Sequence, residues 1–187
     1  MHFFYKISGH PVGKLSQQEQ TANMLKYIVG HLVGQPGTND YTKTKIAYVL
    51  YLFLLEYASH YHKYQLPKRS VLRNLRFYRT DSGVGEYTFS DKHKEILDAI
   101  NMCEVPTFRM VGFNQSEKKA ILQSIQDARM RYLSTSEFEL GCFIKHDLSL
   151  MRESPFLGPL DLSPANIKRE GHAFHQKKHH LYSMKVR

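Results

Sequence analysis

Arg69, Arg73 and Arg76 recur at i, i+4 and i+7. On a helix that spacing puts three guanidinium groups on one face, where each can fork onto a phosphate or carboxylate. Lys68 and Arg79 flank them, and Tyr61 and Tyr64 stand just upstream as stacking surfaces. From Lys63 to Arg79 there are six basic residues and no acidic one. From Lys168 to Arg187 six basic residues, Lys177 and Lys178 among them, face Glu170 alone, a net of +5. The formal net charge is +9 and these two segments together carry +11, so the remainder nets −2. The basic excess is local, and it suits an acidic partner, whether nucleic acid, a protein face or anionic lipid.

Other residues invite different chemistry and do not sustain it. His172, His175 and His179 fall at i, i+3 and i+7, but no cysteine or acidic ligand completes a zinc set, and Lys177 and Lys178 would repel a cation. Cys142 with His146 one turn on is a conceivable nucleophile and base. We read it instead as a buried thiol followed by a histidine favoured by the helix dipole. The stretch GVGEY, residues 83–87, lacks the third glycine and the strand context of a dinucleotide site, and no GxxxxGK[ST] occurs. Carboxylates are sparse and scattered. The chain therefore reads as non-catalytic, with no metal and no cofactor. Its expected partner contacts are Arg69, Arg73, Arg76, Arg79, Tyr61 and Tyr64. The rival reading is nucleic-acid binding through Lys68, Arg69, Arg73, Arg76, Lys177 and Lys178.

The elements that must position these residues are mostly helical. Ser16 with Glu19 forms a capping box before Met24, Leu25, Ile28, Val29 and Leu32 at helical spacing. Gly34, Pro36 and Gly37 stop that helix. Thr42 caps the next one, which runs to about Tyr64 and carries ten apolar or aromatic residues from Ile46 to Leu55. Apolar around its whole circumference, it is expected to be buried on several sides. A third helix over 68–78 would carry the arginines on one face and Val71, Leu72, Leu75 and Tyr78 on the other. Residues 79–90 read as a loop or short hairpin, after which Ser90 caps a helix with Ile96, Leu97 and Ile100 inward. Residues 104–113 read as extended. Asn114 with Glu117, and Ser134 with Glu137, open two further helices, and Ser163-Pro164 starts a last short one.

The expected fold is one compact, mostly α-helical domain of six to seven helices, with a long buried central helix and little sheet. An extended segment covers 1–15, the helical domain 16–170, and a basic, histidine-rich tail 171–187. The ten-residue apolar run is half of what crossing a bilayer needs, about 20 residues, and the N-terminus carries no signal-peptide pattern. Cys103 and Cys142 are too few for a disulfide framework. A soluble, cytoplasmic protein is expected, with no membrane partner.

Several segments together resemble the Panacea domain, a family of promiscuous antitoxin domains. Residues 41–64, YTKTKIAYVLYLFLLEYASHYHKY, are similar to its TKxKLxKLLYLADF-type helix, with Thr42, Lys43, Lys45, Ile46, Leu50, Tyr51 and Leu52 in matching places. FSDKHKEILDAI, residues 89–100, resembles its FSxxExxILDxV entry. Residues 116–147 look like its closing pattern, a helix, a short connection and a helix ending in His146, and LSPANI (162–167) like its last short helix. The similarity spans roughly residues 20–168. Family members carry a GP turn after the long helix, where this chain holds its arginines and DSGVGEY. The resemblance implies a non-catalytic protein that neutralises a toxin by direct binding, or an adaptor delivering one to a protease. Such domains also occur in phage and mobile-element proteins.

Overall fold

A computed structural model describes residues 16–33, 41–61, 71–101, 115–179 and 181, with the backbone alone at 59–61, 71, 100, 101 and 117. Among the described residues the chain forms seven α-helices, one 3-10 turn and a two-stranded antiparallel sheet. Helix α2, Lys43–Tyr61, is the axis of the molecule. Every residue from Ile46 to Ala58 is buried, as expected of a helix apolar all round. It packs against α3 (Tyr87–Asn101), α4 (Gln115–Tyr132), α5 (Glu137–Asp147), α7 (Pro164–Lys177) and strand β2 (Val84–Glu86). Helix α1, Gln17–Val33, closes the opposite side against α3 and α4. No helix among the described residues is long and apolar enough to cross a membrane.

Local rules account for most helix ends. The capping box at α1 is present: Glu19 accepts from Ser16 N at 2.7 Å, and Ser16 Oγ accepts from Glu19 N at 3.3 Å. Thr42 Oγ1 accepts from Lys45 N at 3.0 Å and caps α2. Helix α5 opens two residues later than expected. Its box joins Ser136 and Glu139, because a turn through Thr135 occupies the earlier position, and Glu137 instead receives the Thr42 hydroxyl. Helix α3 likewise starts at Tyr87 rather than after Ser90. Glu86 accepts from Phe89 N at 2.7 Å and so caps the first turn. The expected boundary survives as a kink at Lys92, and the Ser90 carbonyl accepts from Lys43 Nζ at 2.9 Å.

Two expectations are corrected. No helix forms over 71–79: Val71–Asn74 is one 3-10 turn and Phe77–Arg79 is strand β1, paired with β2 in the register Phe77↔Glu86 and Arg79↔Val84. Alternate burial of Leu75 and Phe77, with Arg76 exposed between them, is a period of two, which selects strand. The glycines of the hairpin serve packing. A Cβ on Gly83 would lie 2.6 Å from the Tyr48 ring, and one on Gly85 2.4 Å from that of Tyr78. The second correction is at the other end. Helix α7 is not short and continues through the expected domain boundary at 171. Ile167, Glu170, Gly171 and Phe174 form a buried stripe at i, i+3, i+4 and i+7, with Leu181 buried beyond it. The lysines and histidines of this segment occupy the other faces of a docked helix.

A candidate partner-binding groove

Leu72 and Leu75 are pegs in the core, and the 3-10 turn between them leaves Arg73 and Arg76 exposed. On its other edge β1 is paired by residues 157–160. Arg79 N donates to Gly158 O at 3.0 Å, Leu160 N donates to Phe77 O at 2.8 Å, and Tyr78 bridges Pro159. Between this layer and the first turns of α1 and α3 lies a groove of about 830 Å³. Its apolar side is Leu75, Phe77, Leu160 and Leu162, and its polar side includes Arg76, Tyr87, Asp91 and Lys92. A smaller hollow of about 120 Å³ continues it, sharing Leu75 and Leu162 and bringing in Arg73. Tyr87, 42% exposed, stacks on Tyr78 with centroids 4.5 Å apart, so an aromatic face stands at the groove with its neighbour already in place.

Glu86 sits behind Arg76. It accepts from Arg76 N at 3.0 Å as well as from Phe89 N. Burial pushes its carboxyl above the usual range, opposed by the backbone N–H groups of Arg76, Phe89 and Thr88 and by the Arg76 charge. The carboxylate thus fixes the backbone that aims Arg76 outward.

The expected site residues separate into groups. Arg73 and Arg76 come together on the groove, though on a turn and strand entry rather than a helix. Arg79, half-buried, turns away and donates from Nη1 to Ser154 O at 2.8 Å. Lys68, Arg69 and Tyr64 lie outside the described residues, as do Cys103, Asn114 and the extended reading of 104–113, and Tyr61 is described in backbone only. Lys177 donates to Asp147 O at 2.9 Å. Lys178 reaches inward to Glu56 at 3.0 Å and is an internal counter-ion rather than an open cation. Tyr87 escaped the sequence reading, because its exposure depends on the helix starting at residue 87.

Buried acids are the remaining candidates for chemistry, and both others are occupied. Glu56 is inaccessible and meets Arg131 and Lys178. Glu170, also inaccessible, accepts from Ser149 N at 3.0 Å, Ser149 Oγ at 2.9 Å, Leu150 N at 3.1 Å and Tyr51 OH at 3.0 Å. Burial, then the Glu170 charge, holds the Tyr51 phenol well above its ordinary pKa. Neither glutamate lines the groove. Cys142 is a half-buried free thiol, and His146 is exposed one turn on. Among the described residues no three histidine, cysteine or acidic side chains are arranged to hold a metal, and His172, His175 and His179 are all exposed.

No protein-family model matches the chain, no curated protein matches it, and no solved structure matches its fold.

Proposed function

We propose that this chain is a non-catalytic interaction module that binds and neutralises a protein partner, antitoxin-like or counter-defence in type. The observation that carries the reading is the groove: Arg73 and Arg76 stand exposed along it with exposed Tyr87 and half-buried Leu162, above Leu75, Phe77 and Leu160, which are buried in the core. An acidic, partly apolar segment of a partner satisfies both features, whereas a phosphate backbone uses only the cations. The resemblance to the Panacea domain supports the same class of function, with α2 as the structural centre and the variable surface around it as the contact.

The rival, nucleic-acid binding, draws on fewer open cations than the composition offers, because Lys177 and Lys178 are engaged with Asp147 and Glu56. The test is gentle purification of the tagged protein from its native host at physiological salt, with mass spectrometry of what accompanies it. Wild type and an Arg73→Glu/Arg76→Glu variant are compared. The expected result is a stoichiometric protein that the variant loses while its circular dichroism is unchanged. Full retention by the variant removes the groove from the reading. Bound nucleic acid that leaves steeply with salt replaces the reading with its rival.

A further inference from the structure

Arg76 and Tyr87 oppose each other one step beyond the hairpin. The register Phe77↔Glu86 extends to this pair, and Tyr87 N donates to Arg76 O at 3.0 Å. Residues opposed in this way carry their Cβ atoms about 5 Å apart. Both are exposed and both line the groove, so a guanidinium and a phenol ring stand side by side on one surface.

Each is held from behind. Glu86 accepts from Arg76 N at 3.0 Å and from Phe89 N at 2.7 Å, which fixes the backbone on either side of the pair. The Tyr78 ring packs against that of Tyr87 with centroids 4.5 Å apart, and its hydroxyl shares a hydrogen bond with Ser90 Oγ at 3.0 Å. Gly85 lies opposite Tyr78 and leaves room for its ring across the hairpin, where a Cβ would meet it at 2.4 Å. A platform positioned in advance binds a ligand with little ordering cost.

Charge and shape select what can rest there. Arg76 and Lys92 in the groove, with Arg73 in its continuation, stand against one exposed carboxylate, Asp91. The floor of Leu75, Phe77 and Leu160 is closed into the core, so affinity has to come from a ring face and from anionic oxygens. We infer that the groove binds a nucleotide, with its base stacked on Tyr87 and its phosphate forked by Arg76. Base–aromatic stacking and guanidinium–phosphate pairing are the two contacts such a pair of side chains makes best. Asp91 follows Tyr87 by one helical turn and accepts from a base amino group or a ribose hydroxyl. Lys92, whose exposed pair with Glu95 spans 3.4 Å, supplies charge for a second phosphate. At about 830 Å³ the groove falls within the range of small-molecule sites, about 300–1,000 Å³.

The inference does not rest on the proposed protein partner, and the isolated chain with free nucleotide decides it. If both hold, nucleotide and partner compete for Arg76.

Calorimetric titration of the purified chain with AMP, ADP, ATP and their guanine, cytosine and uracil counterparts is the first measurement. Inorganic phosphate and the free nucleosides are titrated alongside. The expected result is one nucleotide per chain, bound about tenfold or more tighter than phosphate or nucleoside alone. Tyr87→Ala and Arg76→Gln are each expected to weaken binding about tenfold. Arg129→Gln removes an exposed charge outside the groove lining and is expected to change nothing. A readout on wild type guards against a variant that folds poorly: nucleotide should shift the backbone amide resonances of Arg76, Tyr87, Thr88 and Asp91. No binding of any nucleotide at millimolar concentration overturns the inference. So does phosphate that binds as tightly as nucleotide, full affinity in Tyr87→Ala, shifts confined to other residues, or affinity for oligonucleotides alone.

Discussion

Glu56 and Glu170 sit on two helices that pack against each other, and neither touches water, yet the chain holds them by opposite means. Glu56 is met by long cationic side chains that reach in from the surface, Arg131 at 33% and Lys178 at 13% side-chain exposure. Glu170 is met by fixed donors: two backbone N–H groups at the start of α6 (Leu150–Glu153), a serine hydroxyl and a buried phenol. Flexible partners can turn to water when their counterpart is lost, whereas backbone donors in a closed interior cannot. The same residue type therefore answers to different rules at two sites in one core.

Substitutions can break this comparison. The largest effect is expected for Glu170→Leu, which strands several buried donors together and should cost about 3–5 kcal/mol, read as a lowered midpoint in urea unfolding. Removing the cations instead, in Arg131→Met/Lys178→Met, takes both of these salt-bridge partners from a buried carboxylate, with a loss of about 3–5 kcal/mol at most. Adding Glu56→Leu to that pair should recover most of it, because an apolar set of similar volume needs no counter-ion. Failure of that rescue means that the cations matter through packing. Tyr51→Phe removes one donor of several from Glu170 and should cost about 1 kcal/mol.

Glu86 sharpens the contrast through pH. Its folded value is raised by burial, so the folded state binds its proton more tightly than the unfolded chain. Stability from this group is full below the ordinary carboxylate value, about 4.3, and is lost as pH rises through the raised one. In thermal melts across that interval wild type should lose stability relative to Glu86→Gln as pH rises, and parallel curves or the opposite trend count against it. Smallest of all is Glu153→Ala. Its ion pair with Arg169 joins two half-exposed side chains, and a shift beyond about 0.5 kcal/mol would contradict the screening expected there.

Legibility in the sequence followed how local the deciding physics is. The α1 capping box, the Thr42 cap and the burial of Ile46–Leu55 rest on near neighbours and on continuous hydrophobicity, and all were readable. The hairpin was readable only in part, since 79–90 reads as a loop or short hairpin whereas Phe77 and Tyr78 of its first strand read as helix. The arginine stripe misled because Arg69, Arg73 and Arg76 fit a helical period while Leu75 and Phe77 fit a strand period. Phe77 decides the matter by packing edge-on to Tyr51 at 5.2 Å, a contact that the sequence does not display. In α7 the lysines and histidines drew attention away from Ile167, Gly171 and Phe174. Of the groove, Arg73 and Arg76 were legible as residues, but their shared surface depends on residues 159–164 folding back beside them. Glu56 carried a signal that went unused: a lone acid closing a ten-residue apolar run must find a cation.

That cation has a timetable. Lys178 lies 122 residues after Glu56, and Arg131 lies 75 residues after it. Ribosomes add about 5–20 residues per second, so the most apolar helix of the protein waits on the order of ten seconds for its last counter-charge. For the first part of that interval α2 has neither α4 nor α7 to cover it, and for the rest it has α4 with Arg131 but not α7. Its glutamate meanwhile resists burial among leucines. The charge that completes the finished core thus favours an open unfinished one until α4 brings Arg131, and is fully matched only when α7 has been made.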